Sequence, residues 1–242
     1  MNKNVILSLD KVSKHFGGVA ALSNACLDIY QNEVVGIMGP NGAGKTTLLN
    51  VISGQHKPTK DKIIFENKDI TNSSPDSVCH LGIARTFQIP QPYANMTVRE
   101  NVMIGALYGK GYGKSHAREE ADIILDTTDL SSKSDMLARD LSIIFLKRLE
   151  IARALAANPR VLLLDEVSAG LTEEEIPQFL ELVSKMNGMG ITIILIEHVI
   201  MVMMQAVHRI VVMDKGTVLA EGTPSEVMEN EEVINSYFGG VL

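Results

Sequence analysis

The first sixteen residues, MNKNVILSLDKVSKHF, alternate apolar and polar positions, with the clearest strand-like run at 5–9. Further short runs follow at 25–30, 34–38 and 63–65, separated by turn-forming pairs such as Gly17-Gly18 and Gln31-Asn32, so the opening of the chain is predicted to be rich in β-structure. From residue 95 to about 157 the strand signal gives way to apolar residues at helical spacing, most clearly over 118–126 and 147–157, which predicts a helical insert. Two later runs, 161–164 and 191–196, are apolar without alternation, as are strands covered on both faces of a parallel sheet. Between them Thr172-Glu173-Glu174-Glu175 reads as a capping box that opens a helix running to the glycines at 188 and 190. Strand, helix and strand in that order predict a right-handed crossover and a parallel α/β core. Thr223-Pro224-Ser225-Glu226 combines a cap, a proline at the first helical position and a reciprocal glutamate, so a last helix is expected to start there.

Composition narrows the class. A chain of 242 residues with 45% hydrophobic and 21% charged residues can bury a sizeable core, which excludes a disordered or fibrous protein. The net charge of -7 provides no broad basic surface for nucleic acid, so any phosphate recognition must be local and no nucleic-acid partner is expected. Cys26 and Cys79 are far apart, match no zinc spacing and are expected to be buried thiols in a reducing compartment. The most apolar region, 191–213, is broken by Glu197, His198, Gln205, His208 and Arg209 and fails the test for a membrane span. The N-terminus lacks the unbroken apolar stretch of a signal peptide. Met201, Met203 and Met204 lie in an expected helix after His198, where core packing is favoured over a partner surface.

Two segments carry chemistry. Gly39-Pro40-Asn41-Gly42-Ala43-Gly44-Lys45-Thr46-Thr47 follows the apolar run 34–38 and leads into a helix-prone stretch, which are the flanks a phosphate loop requires. Glycines let successive backbone N–H groups turn toward an anion, the helix N-terminus adds positive potential, Lys45 is expected to reach the β and γ phosphates of a nucleotide, and the Thr46 hydroxyl to ligate Mg²⁺. The run at 161–164 delivers Asp165 and Glu166 at its C-terminal end, where ligands bind in open α/β sheets. One acid suits the magnesium ion and the other the attacking water, and Asp165 is assigned to the metal and Glu166 to the water. A second glycine-rich stretch, Gly109-Lys-Gly-Tyr-Gly-Lys-Ser115, has no preceding strand and the wrong glycine spacing, so a flexible surface connection is expected there.

In this order of elements the chain resembles the ATP-binding domains of ABC transporters over essentially its whole length. The resemblance implies a P-loop α/β fold with a parallel sheet core, an antiparallel β subdomain and a helical subdomain, in one ATP-binding domain spanning 1–242 with the helical insert at about 95–157. It implies that Gln88, in Arg85-Thr-Phe-Gln, touches Mg²⁺ and the transport domain. His198, in Ile194-Leu-Ile-Glu-His, looks like the switch histidine at the γ phosphate, and Phe16, in Lys14-His-Phe-Gly-Gly, like the aromatic that stacks on adenine. Expected partners are transmembrane permease subunits and a second ATP-binding subunit, a heterodimer being favoured over a homodimer, with the chain peripheral on the cytoplasmic face of the cell membrane. The segment Asn95-Met-Thr-Val-Arg-Glu-Asn-Val102 together with Leu149-Glu-Ile-Ala-Arg-Ala-Leu155 is similar to the subgroup that energises import of branched-chain amino acids.

The sequence departs from the family at two places. Thr172 stands where the family has Asp or Asn, and the signature segment reads Leu141-Ser142-Ile143-Ile144-Phe145 where the family has Leu-Ser-Gly-Gly-Gln. In the family this segment approaches the γ phosphate held by the opposite chain, so both isoleucines are expected to intrude there and weaken the contact. An alternative reading follows from them: a subunit that binds ATP for assembly with impaired hydrolysis.

Overall fold

The N-terminal alternation builds a long antiparallel hairpin. In the computed structural model, which describes residues 4–238, β1 (Val5–Phe16) pairs with β2 (Val19–Tyr30), Phe16 lying opposite Val19 across Gly17-Gly18. Both strands extend beyond the predicted runs. The register shifts between Leu9 and Val12, where Lys11 takes a positive φ of 48°, and the matching irregularity at Asn24 has φ 49°. Such a bulge slips the alternation by one residue and returns Val12 to the buried face, which hides the second half of the strand from a period-two reading. The chain continues through β3 (Val34–Met38), α1 (Lys45–Ile52), β4 (Lys60–Phe65) and β5 (Lys68–Asp69); β2, β1, β4 and β5 form an antiparallel sheet in that order.

After α2 (Pro75–Leu81) and the three-residue β6 (Ile83–Arg85) comes the helical part: α3 (Val98–Ile104), a π-helical turn at Gly105–Gly109, α4 (Lys114–Thr127) and α5 (Ile143–Leu155). α3 opens with a complete capping box between Thr97 and Glu100, which the sequence reading passed over. The rest comprises β7 (Val161–Asp165), α6 (Ile176–Gly188), β8 (Thr192–Ile196), α7 (Ile200–Ala206), β9 (Arg209–Asp214), β10 (Thr217–Gly222), α8 (Pro224–Met228) and α9 (Glu231–Phe238). A six-stranded sheet runs in the order β10-β9-β3-β8-β7-β6, parallel except for the antiparallel edge strand β10. Its central strands are buried on both faces. Val35 and Ile37 of β3 pack with Leu48, Leu49 and Ile52 of α1 and with the antiparallel sheet, whereas Val34 and Met38 pack on the helical side with Val102, Leu149 and Val202. This division accounts for the unbroken apolar runs at 34–38, 161–164 and 191–196.

Several expectations need correction. Cys26 is exposed and Cys79 half-buried, although both thiols are free; Cys26 falls on the same outward face of β2 as Asp28. Of the three methionines on α7, Met203 is buried but Met201 and Met204 are exposed, because so short a helix turns only one stripe inward. Thr172 does not cap a helix with its side chain. Its N–H donates to Glu175 Oε2 at 2.8 Å, only the reciprocal half of the box, and α6 begins at Ile176 after a turn. The box at Thr223 is complete, yet α8 is short and α9 is the later helix. Gly109 is no surface residue: a Cβ there would lie 2.7 Å from that of Ala157, so the exposed connection shrinks to a few residues before α4. Residues 1–3 and 239–242, the ends of the chain-long domain and the start of the N-terminal alternation, lie outside the described residues. Among the described residues no helix is long and apolar enough to cross a membrane.

Candidate functional site

β3 points straight at the glycine-rich loop, and the loop closes on the N-terminus of α1. Gly39 has φ +151° and a Cβ on it would sit 2.2 Å from the Met213 carbonyl oxygen; Gly44 has φ +101° and a Cβ would sit 2.5 Å from that of Ala21. Both positions therefore demand glycine for shape as well as for dihedral angle. Lys45, the first residue of α1, is only 6% exposed, and its ammonium donates to the carbonyls of Gly39 (2.7 Å) and Pro40 (3.0 Å). Burial lowers its pKa from the ordinary lysine value, while the nearby Glu166 and Asp165 charges act in the opposite direction. An open cleft of about 320 Å³ is lined by Asn41, Gly42, Ala43, Gly44, Lys45, Thr46 and Thr47 from the loop and helix, Val19, Ala20 and Ala21 from β2, and Glu166 from across the sheet.

The two acids at the end of β7 have different surroundings. Asp165 is 3% exposed and accepts from Arg85 Nη2 at 2.7 Å, while Arg85 Nη1 donates to Asn50 Oδ1 of α1 at 2.5 Å. Arg85 thus ties β6, α1 and β7 together beneath the cleft. Glu166 turns out of the strand with φ +50°, an uncommon left-handed conformation for glutamate, and its N–H donates to the Ile196 carbonyl at 2.9 Å. Gln88 Nε2 donates to Glu166 Oε2 at 2.6 Å, and His198 Nε2 lies 3.0 Å from Glu166 Oε1. These three residues follow the C-terminal ends of the adjacent parallel strands β6, β7 and β8, the edge of an open α/β sheet where ligands bind.

The predicted site therefore assembles in part. The loop 39–47, Glu166, Gln88 and His198 come together, with Asp165 below them. Phe16 stands at the rim: it is 45% exposed, its ring meets His56 edge-on at 5.2 Å, and Lys14 Nζ lies 5.0 Å from its centroid, but the cleft itself is lined by its cross-strand partner Val19. The signature residues Leu141, Ser142, Ile143 and Ile144 do not line the cleft of their own chain. Ser142 is the N-cap of α5 without a side-chain capping bond, and Ile143 beside it is 60% exposed. Ile144 corrects the sequence reading. It is partly buried and lines a small cavity with Val167, Leu171, Phe179 and Leu182, so only Ile143 presents its side chain outward. The reading also missed Arg85, whose partner Asp165 is 80 residues away and whose strand β6 is too short for a periodic signal.

The family model described as "ABC transporter" matches residues 22–169, and one described as "Branched-chain amino acid ATP-binding cassette transporter" matches residues 217–241. The chain is 34% identical over 249 residues to the high-affinity branched-chain amino acid transport ATP-binding protein LivG of Escherichia coli (strain K12), a match covering 97% of this chain and 98% of that protein. Among solved structures it is similar to the ADP conformation of MJ1267, an ATP-binding cassette of an ABC transporter, with a TM-score of 0.88 and 35% identity over 97% of this chain and 99% of that one. It is also similar to the dimeric post-hydrolysis state of the ATP-binding cassette MJ0796 bound to ADP and Pi, with a TM-score of 0.80 and 30% identity over 90% and 98% of the two chains.

Proposed function

The chain belongs to the ABC transporter family and is an ATP-binding, ATP-hydrolysing subunit coupled to transport; from that premise we propose that it energises the import of branched-chain or related amino acids. Support for the solute class comes from the name of its relative LivG and from the branched-chain cassette match at the C-terminus. The observation that carries the hydrolytic reading is the convergence of Gln88 and His198 on Glu166 beside the Lys45 loop. The relatives lend no support to an assembly subunit with impaired hydrolysis.

In this reading the cleft binds the triphosphate through the backbone N–H groups of 42–47, and the Lys45 ammonium exchanges the carbonyls of Gly39 and Pro40 for the β and γ phosphates. Glu166 orients the attacking water and accepts its proton, His198 faces the γ phosphate from the end of β8, and Phe16 with Val19 receives the adenine side. The chemistry of the donor set suits Mg²⁺: Thr46, exposed in the cleft, carries a hydroxyl, Gln88 an amide oxygen beside Glu166, and Asp165 a carboxylate held by Arg85 at the end of β7. When bound, the ion would neutralise charge developing on the phosphoryl oxygens.

ABC ATP-binding subunits dimerise and work with permease subunits. Here the second subunit is proposed to be a different ATP-binding chain, and the assembly to sit on the cytoplasmic face of the membrane through permease contacts alone. The permease is assigned to a groove of about 350 Å³ between α2, α5 and the π-helical turn, lined by Cys79, Phe87, Tyr108, Glu150 and Arg153. Phe87 and Tyr108 leave apolar surface exposed at its edge. The test is uptake into vesicles containing the chain with its co-purified permease: ATP should drive entry of leucine, isoleucine or valine, and Lys45→Ala should stop it. Uptake confined to an unrelated solute would overturn the amino-acid reading.

A further inference from the structure

Glu197 lies between the last residue of β8 and His198, is 1% exposed, and is not required by any step above. Its Oε1 accepts the N–H of Ser168 at 2.6 Å. Among the described residues its Oε2 and the Ser168 hydroxyl are buried without a partner. A carboxylate taken out of water costs stability unless neighbours compensate, and an apolar side chain would serve a strand end better. The compensation is local. Ser168 is two residues beyond Glu166 and begins the turn 168–171, closed by Leu171 N–H on the Ser168 carbonyl at 3.0 Å. From the opposite side, Lys147 of α5 donates to the carbonyls of Val167 (3.0 Å) and Ala169. The same turn is therefore gripped by a carboxylate from the end of β8 and an ammonium from α5. Burial raises the Glu197 carboxyl above the ordinary carboxylate range, against the pull of Ser168 and Lys147, and burial lowers Lys147 against the pull of Glu197 and Glu166.

We propose that Glu197 is a positioning residue for hydrolysis: through the Ser168 N–H it locks the turn after Glu166 to the strand end that carries His198, so that the Glu166–His198 pair keeps its spacing. Lys147 completes the clamp and ties it to α5, the helix whose N-cap is Ser142, linking the residues that face one ATP to the segment that faces a second chain. The inference rests on Glu166 as the water-orienting residue.

The experiment compares Glu197→Gln, Glu197→Met and Glu197→Asp in the full chain co-purified with its membrane partners, reading kcat and the KM for MgATP. Gln keeps an oxygen for the Ser168 N–H and adds an N–H for the Ser168 hydroxyl, so kcat should stay within about twofold of wild type. Met keeps the volume and removes the acceptor, so kcat should fall about tenfold or more while KM stays within about twofold. Wild-type kcat for Met, or Gln as impaired as Met, would overturn the proposal. If Met does not fold, Asp replaces it: its carboxylate is one methylene short, it should give the same split between kcat and KM, and wild-type kcat for Asp would overturn the proposal equally. Glu166→Gln in the same assay separates the two layers. If that variant still turns over, the reading beneath falls; if it is inactive while the Met and Asp variants run at wild-type rate, only the clamp falls.

Discussion

The two helix N-termini that the proposed function assigns to phosphate, those of α1 and α5, are built differently. At α1 the preceding residue is a left-handed glycine, the first residue is a buried lysine, and the loop before it is open enough to form a cleft with β2 and Glu166. At α5 the preceding residue is an extended serine and the first residue is an exposed isoleucine, and neither lines the cleft at Lys45. Both ends leave backbone N–H groups free to meet an anion, and only their surroundings differ. On the proposed reading the first terminus is complete within one chain, while the second would meet a phosphate only when another chain brings one.

The largest way to break the first terminus is through its foundation. Arg85→Ala leaves Asp165 buried without its cation, and loss of one member of a buried pair costs about 3 kcal/mol or more. Chemical denaturation should show that loss, and a variant as stable as wild type would remove Arg85 from the account. Lys45→Ala should spare the fold and weaken MgATP binding about tenfold to a hundredfold, the worth of a charge-assisted contact. Calorimetry on the isolated chain checks it, since unchanged affinity would mean that the cleft is not the nucleotide site. At the second terminus a smaller effect is expected. Ile143→Gly removes the outward-pointing one of the two signature isoleucines and should raise the ATPase of the dimeric assembly about threefold; an unchanged rate would show that the exposed isoleucine is neutral. Ile144→Gly should instead enlarge the small cavity beside Phe179 and lower stability without any gain in rate.

The smallest effect concerns pH and the clamp between the two termini. Because burial raises the Glu197 carboxyl, the folded chain holds that proton more tightly than the unfolded chain. The resulting stability is fully present below the unfolded value and is lost as pH rises through the raised folded value. Wild type should therefore lose more stability than Glu197→Gln between mildly acidic and neutral pH. Melting curves that shift in parallel for both proteins would contradict this.

What could be read from sequence follows the same division. The phosphate loop is contiguous, and its flanks announce it, so residues 39–47 were legible together with the acids that end an apolar strand. Gln88 and His198 could be named only by resemblance, because nothing in their local context says that two other strands bring them to Glu166. The places of Arg85 and Glu197 beside the site were not legible at all. Their partners, Asp165 and Ser168, are far away in sequence, and such pairings are set by sheet order, not by any periodic pattern. The two isoleucines looked equivalent in the sequence and are not, since successive residues of a helix point about 100° apart and only one of them can face outward.

The central claim is that Glu166, held by Gln88 and His198 beside the Lys45 loop, orients the water that attacks ATP. The most direct measurement is MgATP affinity and turnover of Glu166→Gln side by side with wild type. Binding should be retained, turnover should fall about a hundredfold or more, and ATP should hold the variant's dimers together. A Glu166→Gln protein that hydrolyses ATP at the wild-type rate would contradict the account.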